Sequence, residues 1–425
     1  NIIAHSRLVT TDAWIVPLVF AATFSLYKYL QNKSRGWLIS FAILGFISLL
    51  TKYSAVPIAA LWLILIFIFE FKDSKTKSFL KKALKSLLKP VLIILVWVLA
   101  LTTVYGFRFS TLAETNHADT ARTESHLDNL SSVERFSVPL ANVLKDAYVN
   151  FKVPFPEYVQ GFFENVLLHD ASGHDAFLFG MYAKHGWWYF FPLTMAVKMP
   201  VPALIGILAL FIFAGWSIYS FIKHTRASKD TRSYLSKHLS LKPVHILIII
   251  PVFFYLLSMK SSINIGMRHI LIVLPFIYLG IALLIDRFWN KNLVIKIFVL
   301  VLGGWYIFSA ASIYPHYLEY FNELAGGPEN GYRYLLDSNL SWGQDGGFVQ
   351  EYINEIPPEI DIHRDPLEEY DDGLIIIDAD LLMGRDVNKR PKTAWIREPF
   401  LAGEWEPIDR IAFTHFVFDS KDRPE

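Results

Sequence analysis

Residues 55–71 read AVPIAALWLILIFIFEF, and residues 72–89 read KDSKTKSFLKKALKSLLK. The first run holds one ionisable residue, Glu70, and approaches the ~20 apolar residues that a membrane-spanning helix needs. The second carries seven lysines against one acid, Asp73. Lysine-rich connections stay on the cytoplasmic side of a bilayer, so the pair predicts a helix that enters from outside and ends inside. The chain reads as an α-helical polytopic membrane protein.

Working outward, candidate spans fall at 13–30, 37–50, 55–71, 90–107, 198–222, 244–259, 270–285 and 294–313, eight in all. The composition agrees, at 53% hydrophobic, because soluble domains lie nearer 45–50%. Segments 37–50 and 55–71 form a hairpin that turns at Thr51–Ser54. The connection 223–242 has six basic residues against Asp230 alone, a second cytoplasmic marker. Alternation then puts residues 1–12, Lys52, the loop 108–197, the short loop 260–269 and the tail 314–425 outside. The tail holds 24 acids and 10 bases, as suits a translocated domain. Cysteine is absent, which excludes disulfides and thiolate metal sites. With residues 1–12 outside and no span before them, a first helix and its loop are expected to be missing from this sequence.

Four regions follow: helices over 1–107, an extracytoplasmic loop over 108–197, helices over 198–313 and an extracytoplasmic α/β domain over 314–425. Within the loop, Val133–Leu168 has near-helical apolar spacing, interrupted by Pro154 and Pro156, and predicts amphipathic helices. Trp187 to Phe191 form an aromatic belt before the fifth span. In the tail, Leu374–Asp378 and Ile411–Phe418 read as strands and Gly346–Glu355 as a short helix.

The spans carry essentially no ionisable residue at mid-depth. Charges gather instead at outer helix ends: Arg7 and Asp12, Lys52, His185 and Lys198, Arg268 and His269. A ring of cations suits an anionic lipid headgroup, because Arg and Lys make charge-assisted bonds to phosphate. Nearby stands Asp337-Ser338-Asn339-Leu340-Ser341-Trp342-Gly343-Gln344-Asp345, dense in polar groups. Each residue also has a structural reading. Lysines at helix ends snorkel, Asp12 favours a helix dipole, His185 and His269 sit at the interface and Trp342 packs. His169, Asp170, His174 and Asp175 resemble a metal cluster, but exposed loop residues explain them as well and no metal ligand is assigned.

The segments RLVTTD (7–12), LLTKYS (49–54), HGWWYFFPLTMAVKMP (185–200), GMRHILIVLPF (266–276) and YFNELAGGPENGYRYLLDSNLSWGQD (320–345) resemble bacterial phospholipid-carrier-dependent glycosyltransferases. That group is related to protein O-mannosyltransferases and aminoarabinose transferases (glycosyltransferase family 39-like) and has the GT-C fold. The resemblance covers nearly the whole chain; TAWIRE (393–398) in the tail also fits. It implies transfer of a sugar from a polyprenyl-phosphate donor to an acceptor at the extracytoplasmic face of the plasma (inner) membrane. In that reading Arg268, Lys52, Lys198 and Arg7 contact the carrier phosphate, and Asp12 is a secondary catalytic carboxylate. His269, His185, Asn339, Gln344, Asp337, Asp345 and Trp342 face substrate. The acceptor is unspecified, a divalent metal stays open as cofactor, and nucleic acid is not expected as a partner. Two departures stand out. The acidic first loop with the main base is expected upstream of residue 1, which would leave this chain inactive, and Ser341 stands where the family usually has Asp. A transporter or lipid flippase, or a non-catalytic assembly subunit of the same fold, is the alternative.

Overall fold

The computed structural model describes residues 1–8, 10–115, 143, 146–227, 240–385 and 388–424. It is mostly helical, with a small sheet region in the tail. Every expected apolar segment contains a helix: Asp12–Asn32, Arg35–Thr51, Ala55–Asp73, Phe79–Val104, Val201–Ala227, Ile246–Met259, Leu274–Trp289 and Leu293–Ala311. Among the described residues, six helical stretches are long and apolar enough to cross a membrane, whereas Arg35–Thr51 and Pro243–Met259 are shorter. The 17 residues of Arg35–Thr51 rise ~25 Å, against ~30 Å of hydrocarbon. The chain is a membrane-embedded protein.

Boundaries differ from expectation in three places. The fourth helix begins at Phe79, so Lys81, Lys82, Lys85 and Lys89 extend it rather than forming a loose connection. The segment 198–222 is split: a helix Phe190–Lys198 ends at extended Met199, and a new one starts at Val201. Pro200 lacks the amide that would continue the ladder. The expected strand Ile411–Phe418 is a hairpin of Asp409–Ile411 and His415–Asp419, broken at Ala412, whose φ is +52°. Of the amphipathic stretch Val133–Leu168, most of the part before 146 lies outside the described residues. Its later part is the helix Pro156–Phe162 and a π-helical turn to Leu168. Tyr158 anchors it on the hairpin by donating to the Leu49 carbonyl at 2.9 Å.

Helix Asp12–Asn32 is the axis of the bundle, with 50% of its apolar window buried against 6% for Leu293–Ala311. The outer helices show Phe211, Ile212, Val301 and Ile307 to their surroundings, which only lipid solvates without loss. In the interior, Trp97 lies over Gly45 and donates to the Ala42 carbonyl at 2.7 Å. A Cβ on Gly45 would sit 2.6 Å from the indole. Gly45→Ala is therefore expected to destabilise by about 1–3 kcal/mol through overpacking. Gly36→Ala, where the nearest atom is 3.8 Å away, serves as the control in thermal melts of the purified protein. Equal melting points for the two variants would contradict this packing.

Polar groups segregate to the two ends. At the end where the first span finishes, Glu70 pairs with Lys33 at 3.1 Å and Lys89 at 2.7 Å. The tail lies at the other end. Its sheet runs Ile362–Arg364, Leu374–Asp378, His415–Asp419, Asp409–Ile411, the first pair parallel and the others antiparallel. Alternation of side chains sends Ile376 and Val417 to Val349 on the helix Gly346–Glu355. Ile375, Ile377, Phe416 and Phe418 join the main core with Ile396 and Trp405.

Candidate functional site

The centre of the site is Asp12, whose side chain is 3% exposed at the start of the axial helix. The hairpin turn brings Lys52, whose ammonium pairs with Asp12 Oδ1. The second-last span brings Arg268, with Nη1 3.6 Å from Asp12 Oδ2. Both cations stay partly accessible, at 23% for Lys52 and 19% for Arg268. Such a pair of cations can neutralise a further anion without moving far.

Arg268 is fixed from three sides. Its Nε donates to Ser338 Oγ at 3.0 Å, and its guanidinium lies 4.2 Å from the centroid of the Trp342 ring. The backbone that presents it is pinned by the tail. Ser338 Oγ donates to the Ile265 carbonyl at 2.9 Å, and the Met267 amide donates to Asn339 Oδ1 at 2.9 Å. Gly266 permits this approach, since a Cβ there would lie 2.3 Å from Ser338 Oγ. Among the described residues Arg268 Nη2 makes no hydrogen bond.

Two histidines complete the floor. His5 is 1% exposed, edge-on to Trp342 at 6.3 Å, and its Nδ1 has no partner. Burial first, then neighbouring cations, push its pKa down to about 3 and keep it neutral. His269 Nε2 is likewise buried and unpartnered, within electrostatic reach of Lys52, Arg268, His5 and His169. Orphaned buried polar atoms are uncommon unless a ligand or water completes them.

The remaining expected residues sit elsewhere. Lys198 is 1% exposed and donates to the Leu318 and Asn339 carbonyls, both at 2.6 Å, with Phe321 beneath its ammonium. Arg7 donates to the Pro315 carbonyl and lies over Tyr317. His185 is exposed against Gly173. Asn339 is wholly engaged with Ile265, Leu336 and Met267. Asp337 pairs with Arg385 at 2.6 Å. Gln344 donates to Glu319, Leu340 and Asp345. Asp345 accepts from Thr414 at 2.6 Å, and burial followed by the Glu319 carboxylate raises its pKa. In the loop, Asp170 holds Ser261 and Ser262, and the His169 and His174 rings lie 5.6 Å apart at a tilt of 49°.

No protein-family model, curated protein or solved structure matches this chain. Its chemistry is therefore read from its own residues.

Sequence reasoning passed over Asn322, which is fully buried and donates to the Ala196 and Met199 carbonyls at 2.6 and 2.8 Å. It closes the end of helix Phe190–Lys198, whose last carbonyls lack helical partners. His5, His316 and Glu319 were also missed, and Ser338 was read only as part of the polar run 337–345, without a role of its own. Desolvation, opposed by Glu319, lowers the Lys198 pKa to about 7 from 10.5. A base whose folded pKa is depressed releases its proton earlier when folded. Stability is expected to rise with pH between about 7 and 10.5, by at most about 1.4 kcal/mol per pH unit. Melting the purified protein across that range should show this slope in the wild type and a flatter one in Lys198→Met. Parallel curves would contradict it.

An apolar groove of about 890 Å³ runs between helices Val201–Ala227, Leu274–Trp289 and Leu293–Ala311, lined by Gly206, Phe213, Tyr278, Leu302 and Tyr306 among others. A smaller cavity of about 90 Å³ shares Tyr278 and Tyr306 with it and reaches Ile2, Ile3 and Tyr317. Together they lead from the lipid-facing helices toward the segment that carries His5 and Arg7.

Proposed function

We propose that this chain is a GT-C-like membrane glycosyltransferase, with eight spans, that moves a sugar from a polyprenyl-phosphate carrier to an acceptor at the extracytoplasmic face. The observation that carries the reading is one buried carboxylate, Asp12, between two partly accessible cations, with unpartnered His5 and His269 beside it. An acceptor hydroxyl attacks the anomeric carbon while the bond from that carbon to the carrier phosphate breaks. The electron pair leaves on polyprenyl phosphate, and the hydroxyl proton leaves to a general base. Negative charge grows on the phosphate oxygens, where Arg268 donates hydrogen bonds and Lys52 supplies a point charge. Asp12, already engaged by both, holds them in register. The linked cavities at Tyr278 and Tyr306 offer the isoprenoid tail an apolar track.

A transporter or flippase predicts polar residues or broken helices at mid-membrane, whereas the charges here cluster away from mid-depth. In the described spans Asp12, Lys28, Glu70, Arg268, Asp286 and Lys296 stand toward the ends, and Lys89, further along the 26-residue helix Phe79–Val104, pairs with Glu70 at the end of its own span. The test offers a panel of polyprenyl-phosphate sugars to the full-length protein in liposomes. Sugar-bearing acceptor and free polyprenyl phosphate are the expected products. Movement of lipid or solute across the vesicle with no covalent product would overturn the enzyme reading.

A further inference from the structure

Where the last span meets the tail, His316, Glu319 and Asp345 place one ligand atom each within 4.8 Å of one another. The three come from two separate stretches of the tail. His316 and Glu319 follow the exit of helix Leu293–Ala311, and Asp345 precedes helix Gly346–Glu355. Glu319 is 1% exposed and Asp345 2%. His316 Nδ1 lies 3.7 Å from Glu319 Oε1 and 3.8 Å from Asp345 Oδ1. Both distances from the imidazole exceed a hydrogen bond, so the ring nitrogen stands close to the two carboxylates without bonding to either. Gln344 Nε2 donates to both carboxylates, Thr414 Oγ1 donates to Asp345 Oδ2, and Phe348 and Phe413 hold the imidazole ring.

Glu319 Oε2 is buried with no hydrogen-bond partner. Two buried carboxylates side by side, one with an unpartnered oxygen, call for a positive charge between them. Among the described residues neither carboxylate forms an ion pair with Lys or Arg. Lys198, the cation acting on Glu319 through space, is committed to two backbone carbonyls.

We propose that His316, Glu319 and Asp345 form a binding site for a divalent transition-metal ion, which ties the tail to the exit of the last span. One imidazole and two carboxylates match Zn²⁺ and related ions; Mg²⁺ and Ca²⁺ favour all-oxygen sets. The site is independent of the Asp12 centre and of the activity proposed for it.

The test uses the full-length protein in detergent, stripped with a chelator and titrated with Zn²⁺ alone. Bound zinc is measured by elemental analysis, and the thermal midpoint is followed. One ion per chain and a rise of several degrees are expected, unaffected by millimolar Mg²⁺. The near-isosteric Glu319→Gln and Asp345→Asn should each weaken zinc binding at least tenfold, while His174→Ala should not change it. If one carboxylate variant fails to fold, the other decides. A folded wild type without stoichiometric zinc, as expected if the two acids share a proton, would overturn the proposal. So would full zinc retention in both carboxylate variants, or its loss in His174→Ala.

Discussion

Arg268→Ala is expected to lower sugar transfer about 10²–10³-fold, the scale seen when one donor to a developing negative charge is removed. The loss should fall on kcat more than on KM, because in the proposed reaction the guanidinium acts most strongly as charge grows on the departing phosphate. Arg268→Lys should recover little. The site uses Nε on Ser338, Nη1 toward Asp12 and the flat face on Trp342, a fork that an ammonium cannot reproduce. Single-turnover transfer by the three proteins, normalised to folded enzyme, measures this. Transfer by Arg268→Lys equal to wild type would refute the geometric role.

The second large effect concerns Asp12. Asp12→Asn removes the partner of two cations in a half-buried setting and is expected to destabilise by about 2–3 kcal/mol, somewhat less than a fully buried pair would lose. Transfer should fall with it, because Lys52 and Arg268 lose their register. Asp12→Asn combined with Lys52→Met removes one charge of each sign, so part of the stability should return. Transfer should stay low in that double variant, since one of the two cations proposed to hold the phosphate is gone. Recovery of transfer along with stability would make the cluster a fold-holding pair only.

Much of the bundle could be read from residue order. Runs such as 55–71 are long and apolar enough to cross a bilayer as a helix, and the lysines of 72–89 mark one end of the bundle. Gathering Asp12, Lys52, Arg268 and His269 at the opposite end followed from counting spans. What could not be read were contacts between distant segments. Lys198 looked like an interfacial cation, but Pro200 ends its helix and Asn322, 126 residues from Ala196, closes it. The ammonium is thereby turned inward. The run Asp337–Asp345 looked like one substrate-binding motif, yet its members separate by environment. Ser338 and Trp342 support Arg268, Asn339 pins the bundle to the tail, and Asp345 joins His316 and Glu319. Ser341 donates to Asp378 at 2.9 Å, so an Asp at 341 would set two carboxylates against each other. That contact gives a physical reason for serine in this chain.

We propose that Arg268 and Lys52 hold a lipid phosphate. The most direct measurement of this is native mass spectrometry of the full-length protein with polyprenyl phosphate and with the neutral polyprenol. This needs no knowledge of the sugar or the acceptor. One polyprenyl phosphate should be retained per wild-type chain, with at least tenfold weaker retention by Arg268→Ala and little retention of polyprenol by either. Equal retention of the phosphate and the alcohol, or of the phosphate by wild type and Arg268→Ala, would contradict it.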